Sequence, residues 1–303
     1  MSPSWYVPCI ASLALSLACA SDPTSDANAG GSAGSAGSAG SNPTAGSSGA
    51  GGRSSPEACP PGPGRETATE PIHVGVVSGA IVDEQGEPTS SGLVQVCGKD
   101  QCINAKVSDN GELAEPLERM MNAPACKFGN GKAWGKLAIP LAAGDSELGT
   151  LTTVTLPPFS AGVPLEAGKS ASSGGVTLTL SDDARVEIDT LTYEDESEFG
   201  FRAAALSAAA LEQLGQGFAL GFALSPVETH LCPSPALSLE NSANLPAGTE
   251  LELFIHGLDV LEVWAPYAGW EKVGEGAVSD DGQTLEFPGG VPVLTAIGIR
   301  EKQ

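Results

Sequence analysis

The sequence predicts an all-β protein: two β-sandwich-like modules behind a disordered N-terminal tether. Three observations carry that expectation. Gly (39) and Pro (23) are abundant and aromatics make up only 5% of the 303 residues, which suits many short elements joined by turns. Beyond residue 70, apolar residues alternate at period two through many short runs, the spacing of strands with one buried face. Residues 21–70 hold almost nothing apolar, so burial cannot offset the entropy of ordering them.

The chain begins MSPSWYVPCIASLALSLACA. Residues 10–18 are apolar and uncharged, long enough for the core of a secretion signal and far short of the ~20 residues that span a bilayer. The run ends Leu15-Ser16-Leu17-Ala18-Cys19, which resembles a bacterial lipobox. The resemblance implies a signal peptide over 1–18, a lipid anchor on Cys19, and an exported lipoprotein of the cell envelope, at the outer membrane on its periplasmic face or at the cell surface. Ser16 stands where Leu is commoner, and no Lys or Arg precedes the apolar core. Cleavage after Ala18-Cys19-Ala20, a small-x-small site, is the competing outcome and gives plain secretion.

Residues 19–70 read as a linker, with GGSAGSAGSAGS at 30–41 and PPGPG at 60–64. Gly/Ser-rich chain behaves as flexible coil, and the prolines stiffen its far end.

A first module is expected over 71–158. Val74 and Val76, then Ala80 and Val82, alternate as a strand, and DEQGEP at 83–88 supplies turn chemistry. A second strand starts at Leu93, Val94 and Val96, SDNGEL at 108–113 makes another turn, and residues 148–156 close the module. Gly79, Val82, Asp83, Gly86, Pro88, Gly92 and Val96, with Asp109 and Gly111, follow a pattern similar to that of carboxypeptidase regulatory-like domains. Leu113 departs from it, standing where an aromatic is common. That resemblance implies a small prealbumin-like or starch-binding-like β-sandwich and no peptidase activity.

Seven cysteines are present. Cys9 leaves with the signal and Cys19 takes the lipid. Cys97 and Cys102 flank a four-residue turn, where opposed residues of an antiparallel hairpin lie about 4.5 to 5.5 Å apart at Cα, within disulfide reach. Export permits such bonds. Cys126 and Cys232 are the expected second pair, leaving Cys59 odd, and Cys59 pairing with either of them stays open.

The second module, over 159–303, is also mainly β. Val176, Leu178 and Leu180 alternate, as do Val186 with Ile188, Leu251 with Leu253 and Ile255, and Leu285 with Phe287. Residues 201–214 (FRAAALSAAALEQL) are expected to form the chain's one short helix, stopped by Gly215. NLPAGTELELF and GWEKVGEGAVSDDGQTLEF look weakly like ZU5-type β-sandwich modules. Trp264, Tyr267 and Trp270 are the candidate ligand-stacking residues for a sugar, although aromatics in strands are more often core.

A net charge of −23 with only 14 Lys plus Arg repels phosphate backbones and excludes nucleic acid as a partner. His73, His230 and His256 lie outside H-E-x-x-H contexts, and His256, following a strand-like run, is expected at a surface or edge. No G-x-S-x-G elbow, P-loop or dinucleotide fingerprint occurs, so no catalytic residue, metal or cofactor is expected. Glu194, Asp195, Glu196 and Glu198 lack the spacing of an EF-hand and read as a solvated charge run. The expected function is that of a non-enzymatic, membrane-anchored structural or protein-interaction module. Carbohydrate binding, implied by the starch-binding-like resemblance, is the alternative.

Overall fold

The computed structural model describes residues 59, 62–64, 70–91, 93–129 and 131–303. The apolar N-terminal run, Cys19 and Gly92 lie outside the described residues.

The long strand Ile72–Val82 centres a three-stranded sheet, antiparallel to Glu112–Met121 and parallel to Gly144–Thr152. A four-stranded antiparallel sheet runs Cys102–Ala105, Val94–Cys97, Ala125–Phe128, Leu137–Pro140. The two sheets share one core: Val74, Val77, Ile81, Leu113 and Leu151 from the first meet Val94, Val96, Phe128 and Leu137 from the second, all almost fully buried. Each such side chain contributes on the order of 1.5–3 kcal/mol of burial free energy. The sequence reading placed Val74, Val76, Ala80 and Val82 on one face. A register shift against Gly144–Thr152 between Val74 and Val77 breaks that phase, because one extra residue in a strand turns every later side chain over. Val77 and Ile81 therefore point inward, and Val76 and Ala80 are only half-buried.

The turn residues have physical reasons. Asp83 Oδ1 accepts the N–H groups of Gln85 and Glu87, both at 2.9 Å, closing the turn over DEQGEP. Gly111 sits at φ +79°, and a Cβ there would lie 2.5 Å from the Ile81 carbonyl oxygen, so only glycine fits. Leu93, expected to begin a strand, is exposed, and pairing starts at Val94.

Nine antiparallel strands form the remaining large sheet, in the order Ser170–Ser173, Val176–Thr179, Ala236–Glu240, Thr284–Phe287, Trp270–Val278, Glu250–His256, Ala296–Glu301, Leu220–Ser225, Arg202–Ala205. Its two edges meet: the Ala203 N–H donates to Ser173 Oγ at 3.1 Å. The sheet thus curls around a core that includes Leu178, Leu237, Leu251, Leu253, Ile255, Phe287 and Ile297. The all-β class holds, with one short α-helix.

That helix is Ala208–Gln213, capped by Ser207 Oγ accepting the Ala210 N–H. The expected helix over 201–214 is half as long. Residues 202–205 instead pair with Leu220–Ser225, because a buried edge of the large sheet outweighs the helix propensity of alanine. Leu206, Ala210, Leu214, Ala223 and Ala296 pack into the core of the first two sheets, so both parts of the described chain share buried surface.

Among the described residues there are two disulfides. Cys97–Cys102 closes the hairpin with Cα atoms 4.0 Å apart, at directly opposed positions. The second bond joins Cys59 to Cys232, with Cα atoms 5.7 Å apart. This corrects the expected Cys126–Cys232 pair. Cys126 lies with its thiol buried inside the first core, pairs across strands with Val96 and Ile139, and is free. Two described residues within the expected linker touch the fold. The Cys59 N–H donates to Glu187 Oε1 at 2.7 Å, and the Gly64 N–H to the Val263 carbonyl at 3.0 Å. No apolar run in the sequence signals these contacts.

Candidate binding site

The three candidate stacking residues do not form one exposed platform. Tyr267 is buried; its hydroxyl donates to the Cys97 carbonyl at 3.3 Å and Lys127 Nζ stands 4.9 Å from its ring centroid. Burial raises the pKa of that hydroxyl. Trp270 packs edge-on against Phe218 and beside His256, each at 4.7 Å between ring centroids. Trp264 lies apart from both. It is half-buried, leans on the large core, and forms part of the wall of a cavity of about 310 Å³.

That cavity lies where the strands Glu250–His256 and His230–Cys232 meet the loop after His256. Ile255, Leu258, Val293 and Trp264 give it apolar walls, and Asp189, Glu228, Asp259 and His230 bring polar atoms to it. Glu228 has φ +65°, a left-handed backbone that costs a non-glycine residue energy, and its N–H is held by the Leu294 carbonyl. The indole Nε1 of Trp264 is buried with no hydrogen-bond partner. An unpaired buried donor is costly and recurs at binding sites. The nearest lysine, Lys127, donates to the Leu258 carbonyl at 3.0 Å. Burial lowers its pKa to about 8, against the opposing influence of Glu228 and Asp259.

His256, expected at the surface, is fully buried beneath this cavity. Its Nε2 accepts the Ala138 N–H at 3.0 Å, so Nδ1 carries the proton and donates to the Gly269 carbonyl at 2.9 Å. Burial lowers its pKa from 6.5 to about 4, which keeps the ring neutral. The imidazole thus fastens Leu137–Pro140 to the large sheet. His73 stands apart, 3.6 Å from Glu118 on exposed strand surface. In the acidic run, Asp195 Oδ1 accepts the Ser197 N–H and Glu198 pairs with Lys132 at 2.7 Å. A larger depression of about 840 Å³ runs beside Trp270–Val278, but its Lys302 and Glu275 are paired with each other at 2.9 Å.

Sequence reading found Trp264 and missed Asp189, Glu228 and Asp259. In a chain of 37 acidic residues no single carboxylate stands out, and only folding brings these three together.

Comparison of the sequence with known protein families gives no match, and comparison with characterised proteins gives none either. Among solved structures, the chain is similar to a Bacteroides uniformis protein whose description proposes carbohydrate binding (12% identity, TM-score 0.21, 76% of this chain and 100% of that one). It is also similar to a DUF3823 family protein of Parabacteroides merdae (9%, 0.20, 73% and 96%) and to the TIE protein of Bacillus anthracis (8%, 0.22, 76% and 49%). Likenesses this distant transfer no function to this chain.

Proposed function

We propose that this protein is an exported, membrane-tethered module that acts by binding a protein partner in the cell envelope. The observation that carries the reading is the Cys59–Cys232 disulfide. Stable disulfides form in oxidising compartments outside the cytoplasm, which supports export. This bond also fixes where the Gly/Ser-rich segment joins the folded part, beside Val263 and Trp264 in the cavity wall. A lipid on Cys19 would hold the cavity near the membrane, within reach of partners there. The strong acidity favours a basic patch on the partner.

Fatty-acid labelling and envelope crosslinking test this together. Label should enter the wild type and vanish in Cys19→Ser, and crosslinking should capture a defined protein less well at high salt. Unchanged label in Cys19→Ser would remove the anchor. Turnover of a peptide, ester or glycoside by the pure protein would overturn the binding reading. Trp264 at the cavity wall favours carbohydrate as a second reading. Micromolar glycan binding abolished by Trp264→Ala would establish it in place of the first.

A further inference from the structure

Two leucines at this end of the molecule are exposed in a way that stability alone does not explain. Leu191 is 91% exposed and Leu261 is 76% exposed, more than any other large apolar side chain described. Both are presented by the same device. In Asp189-Thr190-Leu191, Asp189 Oδ1 accepts the Leu191 N–H at 3.0 Å; in Asp259-Val260-Leu261, Asp259 Oδ1 accepts the Leu261 N–H at 2.8 Å. Each aspartate side chain mimics a backbone turn and pins the leucine two residues on.

Both turns are anchored from beneath. The Asp189 turn is closed by Thr192 Oγ1 on Asp189 Oδ2 at 2.6 Å and by the Tyr193 N–H on the Asp189 carbonyl at 2.9 Å. Tyr193 is buried, and its hydroxyl accepts the Val227 N–H at 2.8 Å. The Asp259 turn ends on Glu262, buried, paired with Lys99 at 2.7 Å and accepting the Tyr267 N–H at 3.0 Å. Leu191 and Leu261 are therefore held in place before any partner arrives, which lowers the entropy cost of binding. Asp189, Asp259 and Leu261 all line the 310 Å³ cavity, where Glu228 makes no side-chain hydrogen bond or ion pair among the described residues.

We propose that this cavity takes a lysine or arginine side chain of the partner protein, while Leu191 and Leu261 grip the apolar residues on either side of it. The inference rests on the protein-binding reading above and names the chemistry of its partner. A long basic side chain is apolar along its stem and cationic at its tip, which fits walls of Ile255, Leu258 and Trp264 around three carboxylates. An indole face adds attraction for a cation. Lys127 offsets part of the negative charge, but its ammonium is already committed to the Leu258 carbonyl.

The test uses the full chain, oxidised, and three synthetic peptides differing only in the central residue of an apolar–X–apolar segment: lysine, norleucine or glutamate. The lysine peptide should bind at least ten-fold more tightly than the norleucine peptide, and the glutamate peptide should not bind. Glu228→Gln and the double variant Leu191→Ser/Leu261→Ser should each weaken the lysine peptide at least ten-fold; all three changes lie at or near the surface, and unchanged thermal midpoints would show the fold intact. Equal binding of lysine and norleucine, or lysine binding indifferent to these variants, overturns the proposal, as does no lysine binding up to millimolar peptide. Envelope crosslinking separates the two levels. A partner captured equally by wild type and the leucine variant leaves the protein-binding reading standing and removes this site. No captured partner, with tight lysine-peptide binding, removes the envelope partner and keeps the site.

Discussion

The two parts of the fold are closed in opposite ways. The four-stranded sheet near the N-terminus is tied within one hairpin, where Cys97 and Cys102 are five residues apart. The nine-stranded sheet sets Val176–Thr179 beside Ala236–Glu240, and Cys232, on a strand paired separately with Arg185–Glu187, is bonded to Cys59, 173 residues away. Local closure follows from turn chemistry. Distant closure depends on the whole chain having folded, and it should matter more to stability. The groups that join the parts are few and buried. Arg202, 1% exposed, donates to the carbonyls of Pro157 and Lys132 on one side and to Ser225 Oγ on the other, stacked over Phe159. His256 reaches Ala138 and Lys127 reaches Leu258.

Removing the long disulfide should have the largest effect. In the chain-entropy picture a loop of 173 residues is worth up to about 5 kcal/mol, so Cys59→Ser/Cys232→Ser should lower the denaturation midpoint steeply. A loss under ~1 kcal/mol would show that this closure adds little. Arg202→Ala leaves buried acceptors unpaired and opens a cavity, which should cost about 3–5 kcal/mol by denaturant titration.

His256 supplies a pH test of the join. Its folded pKa of about 4 lies below its unfolded value of 6.5, so the unfolded chain binds the proton first. Stability from this group is full above pH 6.5 and is lost as pH falls towards 4. Between pH 7 and 5 that amounts to about 2 kcal/mol, and His256→Gln should remove that much of the pH dependence.

Cys97→Ser/Cys102→Ser should cost only about 2 kcal/mol, because the loop is short. Cys126, its pKa pushed up to about 12 by burial, should resist thiol reagents in the folded protein and react at once in denaturant. Rapid labelling under native conditions would mean that the first core opens locally.

The same contrast explains what the sequence disclosed. The turns at Asp83–Glu87 and Ser108–Gly111 and the hairpin at Cys97–Cys102 rest on residues a few positions apart, and each was legible. Leu251, Leu253 and Ile255 announced their strand because period two survives unbroken there. The bulge beside Val76 hid its own phase, and alanines at 203–205 read as helix because their strand partners lie some twenty residues on. Cys59 had no apolar context to mark its pairing. At the cavity, Trp264 was visible as an aromatic. The repeated Asp-x-Leu at 189–191 and 259–261 was the signal available for the rest, but nothing in sequence shows that both turns face one cavity.

This end of the molecule is proposed to meet a protein. Site-specific photocrosslinking in intact cells tests it most directly, with the photoreactive residue at Leu261 and, as a control, at Ser242 on an exposed turn of the large sheet. One dominant protein adduct is expected from position 261, absent at 242 and diminished by Glu228→Gln. Equal, diffuse adducts from both positions would contradict it.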